Sequence, residues 1–337
     1  MGIGRVKRIL LLLERASYRI IVVPLIAFLP APLAYSIACQ RSALRYLLDT
    51  PKRKEIMHCL ERVLGNQLTT EARTRTTKDI FRLRSCLPVD QTRIAGKGEA
   101  LAKLVEMRGL EHIEAALAGG KGAIICVSHF GGFNCGLSLL GARGFPITLV
   151  GRWASNNVEH RQSSLSRLFY RLTVQKSLAR HRRRTNIEPL GQVGVAVQAA
   201  RVLQQNELIV IGIDAPALDA DRQRAVPMDF LNGQAQLIPG AATIAQLIGA
   251  PVLMMFIRRS PDWHHQVLEI TPPISMDGDV VTAFKRCLAV AESAIRQTPS
   301  HWAYWNVRDL TTLGLLPEET VQDSQQQEKK NLTANIS

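Results

Sequence analysis

Apolar positions along this chain follow two periods, and the switch between them sets out the fold. Short runs that are apolar at nearly every position occur at Ala123–Val127, 147–151, 208–213 and 252–257, each bounded by glycine, proline or polar residues. Runs of that length and completeness predict strands buried on both faces. Between them, apolar residues recur at helical spacing over 158–172, 192–205 and 239–248, while 266–271 predicts an edge strand and Val280–Gln297 a closing helix. Alternation of this kind predicts an α/β fold, a mostly parallel sheet flanked by helices. Ahead of it, 109–118 predicts a helix that delivers the chain through Gly119, Gly120 and Gly122 into the first strand, and 51–86 predicts two amphipathic helices with basic outer faces.

The amino-terminal pattern is different. From residue 20 to residue 40 there are twenty-one residues without a charge. A bilayer-spanning helix needs about 20. Pro24, Pro30 and Pro32 interrupt the stretch and predict a kinked or re-entrant helix lying partly in one leaflet. Basic residues flank it on both sides, so charge asymmetry does not orient it. A cleaved signal peptide and a buried helical hairpin are the competing readings. The expected organisation is therefore membrane-anchoring helices over 1–50, an α/β domain over 51–316, and a disordered, Gln-rich polar tail over 317–337.

Charge narrows the class of partner. The chain of 337 residues carries a formal charge of +14, with 5% aromatic residues. Such a balance calls for an acidic partner. No basic-aromatic platform is visible, so nucleic acid is not expected, and a membrane surface or an acidic substrate remains. Six scattered cysteines without metal-ligand spacing read as reduced thiols in a cytosolic compartment. No Walker loop, dinucleotide fingerprint or metal motif occurs, so no cofactor and no metal are expected.

The candidate chemistry is concentrated after the first strand, in Ser128-His129-Phe130-Gly131-Gly132-Phe133-Asn134. Strand, glycine turn and helix place His129 at the carboxyl end of a strand, where open α/β sheets carry their reactive groups. Asn134, five residues on, stands in the first helical turn within reach of the ring, and backbone N–H groups around Gly131 and Gly132 are candidates to stabilise an oxyanion. Arg152 follows the second strand on the same edge and suits a substrate phosphate. Asp214 closes the third strand and reads either as a helix cap or as part of the site, and its position favours the site, beside His129 and Asn134 as a candidate catalytic residue. The basic run 176–184, ending in Arg184, reads equally as a solvated helix end or an anion site.

These residues also carry a resemblance. The sequence SHFGGFN, the segment LIVIGIDAP ending near Asp214, the segment 226–259 and the late HWAYWNVR from His301 resemble the bacterial lipid A biosynthesis acyltransferase family over roughly residues 5–312. The resemblance implies a glycerolipid-acyltransferase-like fold, anchorage on the cytoplasmic face of the bacterial inner membrane, and transfer of a fatty acyl group from acyl carrier protein or acyl-CoA to a hydroxyl of a lipid or glycolipid. It implies His129 as general base. The family carries an acid where this chain has Asn134, and a His near its last arginines where this chain has Asn306, with Arg308 matching one of those arginines.

An amide at 134 fixes a tautomer but supplies no charge. That opens three readings: a slower enzyme, a different carboxylate in the role, or a catalytically impaired relative that binds lipid or carrier protein. A hydrolase using Ser128 as nucleophile is a further alternative, although no G-x-S-x-G elbow surrounds it.

Overall fold

The computed structural model describes residues 10–11, 13–102, 105–150, 187–189, 194–217 and 219–317. Its amino-terminal helices are shaped by proline. Pro24 has no N–H to give to the preceding turn, and that turn widens into a π-helical one, Tyr18–Val22, before a single α-turn, Val23–Ile26. Pro30 ends this segment and caps α1, Ala31–Leu48. Two long helices follow, α2, Thr50–Leu64, and α3, Thr70–Ala102, which runs through Pro88. Among the described residues no helix is long and apolar enough to cross a membrane. The proline-broken segment packs instead against α3: Tyr18, Val23, Ile26, Ala34, Tyr35 and Ala38 share a buried cluster with Cys86 and Val89. Its opposite side is apolar and exposed, at Ile21, Leu25, Phe28, Leu33, Leu44 and Leu47.

The remaining strands are β1, Glu106–Arg108; β2, Ala123–Val127; β3, Ile147–Val150; β4, Ile187–Pro189; β5, Leu208–Gly212; β6, Val226–Phe230; β7, Gly233–Leu237; β8, Val252–Arg259; and β9, Gln266–Ile270. Seven of them form one sheet in the order β1-β9-β8-β2-β5-β3-β4. Every pair is parallel except β8 with β9. The helices that cover it are α4, Leu110–Ala118, and α5, Phe133–Ala142, on one face; α6, Val195–Gln204, α7, Gly240–Ile248, and α8, Val280–Gln297, cover the other. A short α9, Val307–Leu313, comes last.

Alternate residues of the central strands serve the two faces. Ile124, Cys126, Ile209, Ile211, Val252 and Met254 belong to one buried cluster, and Ala123, Ile125, Val127, Leu208, Val210 and Leu253 to the other. Each Ile, Val, Leu or Met among them contributes about 1.5–3 kcal/mol by leaving water. The all-apolar runs are thereby explained: both faces of the sheet are core.

The structure also departs from the expected pattern. The expected edge strand at 266–271 is flanked by β1, three residues long and too short to leave a periodic signal. The β6–β7 hairpin, paired from Val226 with Leu237 to Phe230 with Gly233, was hidden because alternate residues face solvent. The expected helix over 158–172 and the polar tail beyond residue 317 lie outside the described residues.

Candidate active site

Three neighbouring parallel strands end on one edge of the sheet, and each delivers a functional group. β2 runs out into Ser128 and His129, β5 into Asp214, and β8 ends in Arg259. The register pairs Val127 with Gly212, and the Ile213 N–H donates to the Val127 carbonyl at 3.0 Å. Asp214 therefore arrives beside His129 by strand pairing alone.

Asp214 is fully buried, and only donors surround it. The His129 ring meets its Oδ1 through Nδ1 at 2.7 Å, and the His129 backbone N–H donates to both oxygens at 3.0 and 2.9 Å. Ser128 Oγ donates to Oδ2 at 2.5 Å and the Trp302 indole N–H at 2.8 Å. A carboxylate is the side chain with acceptors alone, so this pocket suits Asp and no amide. It also fixes the tautomer: with Nδ1–H donating to Asp214, Nε2 carries the lone pair. The His129 side chain is 29% exposed.

The electrostatics of the pair are reciprocal. Burial opposes a charged ring, but the Asp214 carboxylate, through its field and its hydrogen bond, outweighs burial with help from Asp309, and the His129 pKa lies above the ordinary histidine value. Burial likewise pushes Asp214 upward, yet the His129 charge and the donors from His129, Ser128 and Trp302 hold it below the usual carboxylate range.

Aromatic rings wall the histidine. Tyr304 lies with its ring centroid 4.8 Å from that of His129, and Phe133 at 5.1 Å. Burial, then the fields of Asp214 and Asp309, raise the Tyr304 pKa and keep its hydroxyl protonated.

The glycine turn is held from below. Gly131 has φ of +58°, and a Cβ there would lie 2.0 Å from the Ile257 carbonyl oxygen, so only glycine fits. Its N–H donates to the His301 carbonyl at 2.7 Å, and the Ala303 N–H donates to the His129 carbonyl at 2.9 Å. The Gly131 amide is therefore committed to the fold and is not a free oxyanion donor. Gly132 caps α5.

The other expected residues fall as follows. Asn134 makes no hydrogen bond to the ring among the described residues; its Oδ1 is buried without a partner, and the position beside Nδ1 belongs to Asp214. Ser128 is buried with its hydroxyl turned onto Asp214, away from any position for nucleophilic attack. Arg308 is exposed on α9, and Asn306 caps that helix by accepting from the Asp309 N–H at 3.0 Å. Arg152, Arg184 and the rest of the basic run 176–184 lie outside the described residues. Sequence reasoning missed Trp302 and Tyr304 as parts of the site. Their signal was present in HWAYWNVR, but a role for them needs the antiparallel bridge of Phe130 with Trp302, which joins segments far apart in the chain.

Among the described residues no group of three His, Cys, Asp or Glu side chains is placed to hold a metal ion. All six cysteines are free thiols.

Residues 6–308 match the family described as bacterial lipid A biosynthesis acyltransferase. A similar protein is the lipid A biosynthesis acyltransferase of Haemophilus influenzae, 26% identical over 205 residues, which cover 60% of this chain and 58% of that relative. The match thus spans a little over half of the relative's length.

Proposed function

Because the chain belongs to the bacterial lipid A biosynthesis acyltransferase family, we propose that it is an O-acyltransferase in which His129, held by Asp214, moves an acyl group from a thioester to a hydroxyl of a lipid or glycolipid. The observation that carries this reading is the His129–Asp214 pair at 2.7 Å on the carboxyl edge of the sheet. Neutral His129 takes the proton of the acceptor hydroxyl on Nε2 as that oxygen attacks the thioester carbonyl carbon. A C–O bond forms, the C–S bond breaks, and the departing thiolate recovers the proton from the imidazolium. General-base assistance of this kind contributes on the order of 10²–10⁴ in rate. The Asp214 carboxylate stabilises the imidazolium, the function expected of an acid at 134. With the Gly131 amide committed, and the Cys135 N–H given to the Gly132 carbonyl at 2.6 Å, the oxyanion falls to the N–H groups of Gly132, Phe133 and Asn134 at the start of α5.

The exposed apolar face at Ile21, Leu25, Phe28 and Leu33 suits docking of the amino-terminal helices into one leaflet of a membrane. On this reading the protein works on the cytoplasmic face of the inner membrane. Net charge of +14 suits an acidic carrier protein as donor and anionic headgroups as surroundings. The alternative, a non-catalytic lipid or carrier-protein binding module, is motivated by Asn134 and Asn306; the Asp214 carboxylate on the His129 ring supports the catalytic reading against the first of these motives.

The test is transfer of radiolabelled acyl chains from acyl carrier protein, and separately from acyl-CoA, into total membrane lipid. Wild type is expected to label a lipid, and His129→Ala to lose at least about 10² of that rate. Wild type that labels no lipid from either donor would overturn the reading in favour of the binding module. Free fatty acid without lipid product would favour a hydrolase.

A further inference from the structure

Two hydrogen bonds fix how α1 lies on α3. The Tyr35 hydroxyl donates to Asp90 Oδ1 at 2.7 Å, and Arg41 Nη1 donates to Ser85 Oγ at 3.0 Å. The helices therefore run antiparallel, with residue numbers rising along one as they fall along the other. Between the two bonds, Cys39 on α1 falls opposite Cys86 on α3. Both side chains pack in the cluster that Tyr18, Val23, Ile26 and Tyr35 share with Val89. Their thiols are hydrogen-bonded to each other.

Packing is the simplest use of a cysteine, which behaves as a small hydrophobe. These two are too unlike for that account to be complete. Cys86 is fully buried, whereas Cys39 is half-buried and is the one thiol of the six that reaches the surface. The electrostatics divide them in the same direction. The hydrogen bond with Cys86 lowers the Cys39 pKa below the ordinary thiol value against burial, and the Arg82 and Arg259 guanidiniums add to the effect in spite of Asp79. The same hydrogen bond and burial push Cys86 up, so it keeps its proton. A thiolate-prone sulfur open to solvent, beside a shielded thiol, is the chemistry of a sulfur that is oxidised first and a second that resolves it. Cys126 on β2 and Cys287 on α8 supply the contrast: their thiols also pair, but neither reaches solvent.

We propose that Cys39 and Cys86 are a redox pair, oxidised by a hydroperoxide to a disulfide that staples α1 to α3. With hydrogen peroxide, the Cys39 thiolate attacks one peroxide oxygen, the O–O bond breaks, and the departing hydroxide takes a proton to become water. Sulfur is left as a sulfenic acid. The Cys86 sulfur then attacks that of Cys39; an S–S bond forms, the S–O bond breaks, and the hydroxyl leaves as a second water with the Cys86 proton. Two electrons pass from the thiols to the peroxide, and an external dithiol returns them. The staple closes the chain from 39 to 86. It fixes the amino-terminal helices, with their exposed apolar side, onto the helix whose Asp90 holds Arg259. It is independent of the acyltransferase reading.

Peptide mapping of the full chain in detergent micelles, with hydrogen peroxide as the probe, tests this. Folded wild type is expected to lose two of its six thiols and to yield a cross-linked peptide joining Cys39 to Cys86, reversed by dithiothreitol. Cys126 and Cys287 are expected to stay reduced. In Cys86→Ser the sulfenic acid has no resolving thiol, and dimedone is expected to trap it on Cys39 at least about tenfold more than in wild type. In Cys39→Ser, Cys86 is expected to stay reduced. Oxidised wild type is expected to unfold at higher urea than reduced wild type, with no such difference in Cys39→Ser. The wild-type map needs no variant to fold. A first disulfide at any other pair, or a folded wild type that keeps all six thiols under peroxide that oxidises the urea-unfolded chain, overturns the proposal. Dimedone trapped on Cys86 in Cys39→Ser overturns the assignment of Cys39 as the sulfur attacked first. Equal urea midpoints for oxidised and reduced wild type overturn the staple.

Discussion

Two histidines flank one turn, and their surroundings drive them in opposite directions. His129 faces a carboxylate that accepts its Nδ1–H, and its pKa rises. His301 is buried as deeply as the core, its Nε2 accepts the Arg259 backbone N–H at 3.0 Å, and burial, then Arg258 and Arg259, pushes its pKa down to about 3. The charges behind them are equally different. Asp214 receives donors from a ring that can gain and lose a proton, whereas Asp90 is matched by a permanent guanidinium and by the Tyr35 hydroxyl at 2.7 Å. One half of this edge is built to change protonation and the other to stay fixed while it holds the first in place.

Asp214→Asn strikes the first half and carries the largest expected effect. It presents an amide N–H₂ to a pocket of donors and removes the charge that raises His129. Transfer is expected to fall by roughly 10²–10⁴. What activity survives should have its acidic limb at lower pH than wild type, because the raising field is gone; a pH–rate profile checks the sign. A limb that does not move would mean that Asp214 does not set the His129 pKa. Asp90→Ala strikes the second half. It leaves the Arg259 charge buried without its partner, at a cost of about 3–5 kcal/mol of folding stability, read from urea unfolding. The acidic limb of the surviving folded enzyme is expected to stay at its wild-type pH, which separates the two carboxylates.

The histidines themselves give a smaller, opposite pair of effects. His301 is neutral when folded and protonates near pH 6.5 when unfolded. Its contribution is present above pH 6.5 and is lost as pH falls toward about 3. His129 works the other way, contributing below pH 6.5 and losing that contribution as pH rises through its folded value. Below pH 6.5, then, the slope belongs to His301. The urea midpoint of wild type is expected to fall from pH 6.5 to pH 4.5 by more than that of His301→Gln. Equal falls would mean that the ring is not held neutral.

The sequence revealed what local pattern alone decides. His129 at a strand end, the four central strands and α8 were legible because an all-apolar run and a helical repeat are local signals. Asp214 was visible only as a strand-closing carboxylate; that it faces His129 depends on β5 lying next to β2, a pairing across 85 residues. Trp302 needed a third segment to arrive from the far end of the chain. The amino-terminal stretch was legible as apolar but not as two-sided, because a charge-free run does not say that Tyr35 and Ala38 meet α3 while Phe28 and Leu33 do not. Asn134 misled for the same reason that Asp214 was underrated: spacing along one helix cannot see a neighbour that arrives on another strand.

Asn134 is also where the smallest effect says the most. If Asp214 holds the ring, an acid at 134 adds little. Asn134→Asp would place a carboxylate where Oδ1 is buried without a partner, so the new group is pushed toward its neutral form and costs some stability. Its effect on kcat/KM is expected to be less than about threefold. In the Asp214→Asn background it is expected to recover less than about tenfold, because Nδ1 is aimed across the sheet at residue 214 and not along the helix at 134. A rise of tenfold or more in the single variant would carry the opposite lesson. It would mean that the ring turns to residue 134 in the working complex, and that the Asp214 contact belongs to the resting enzyme alone.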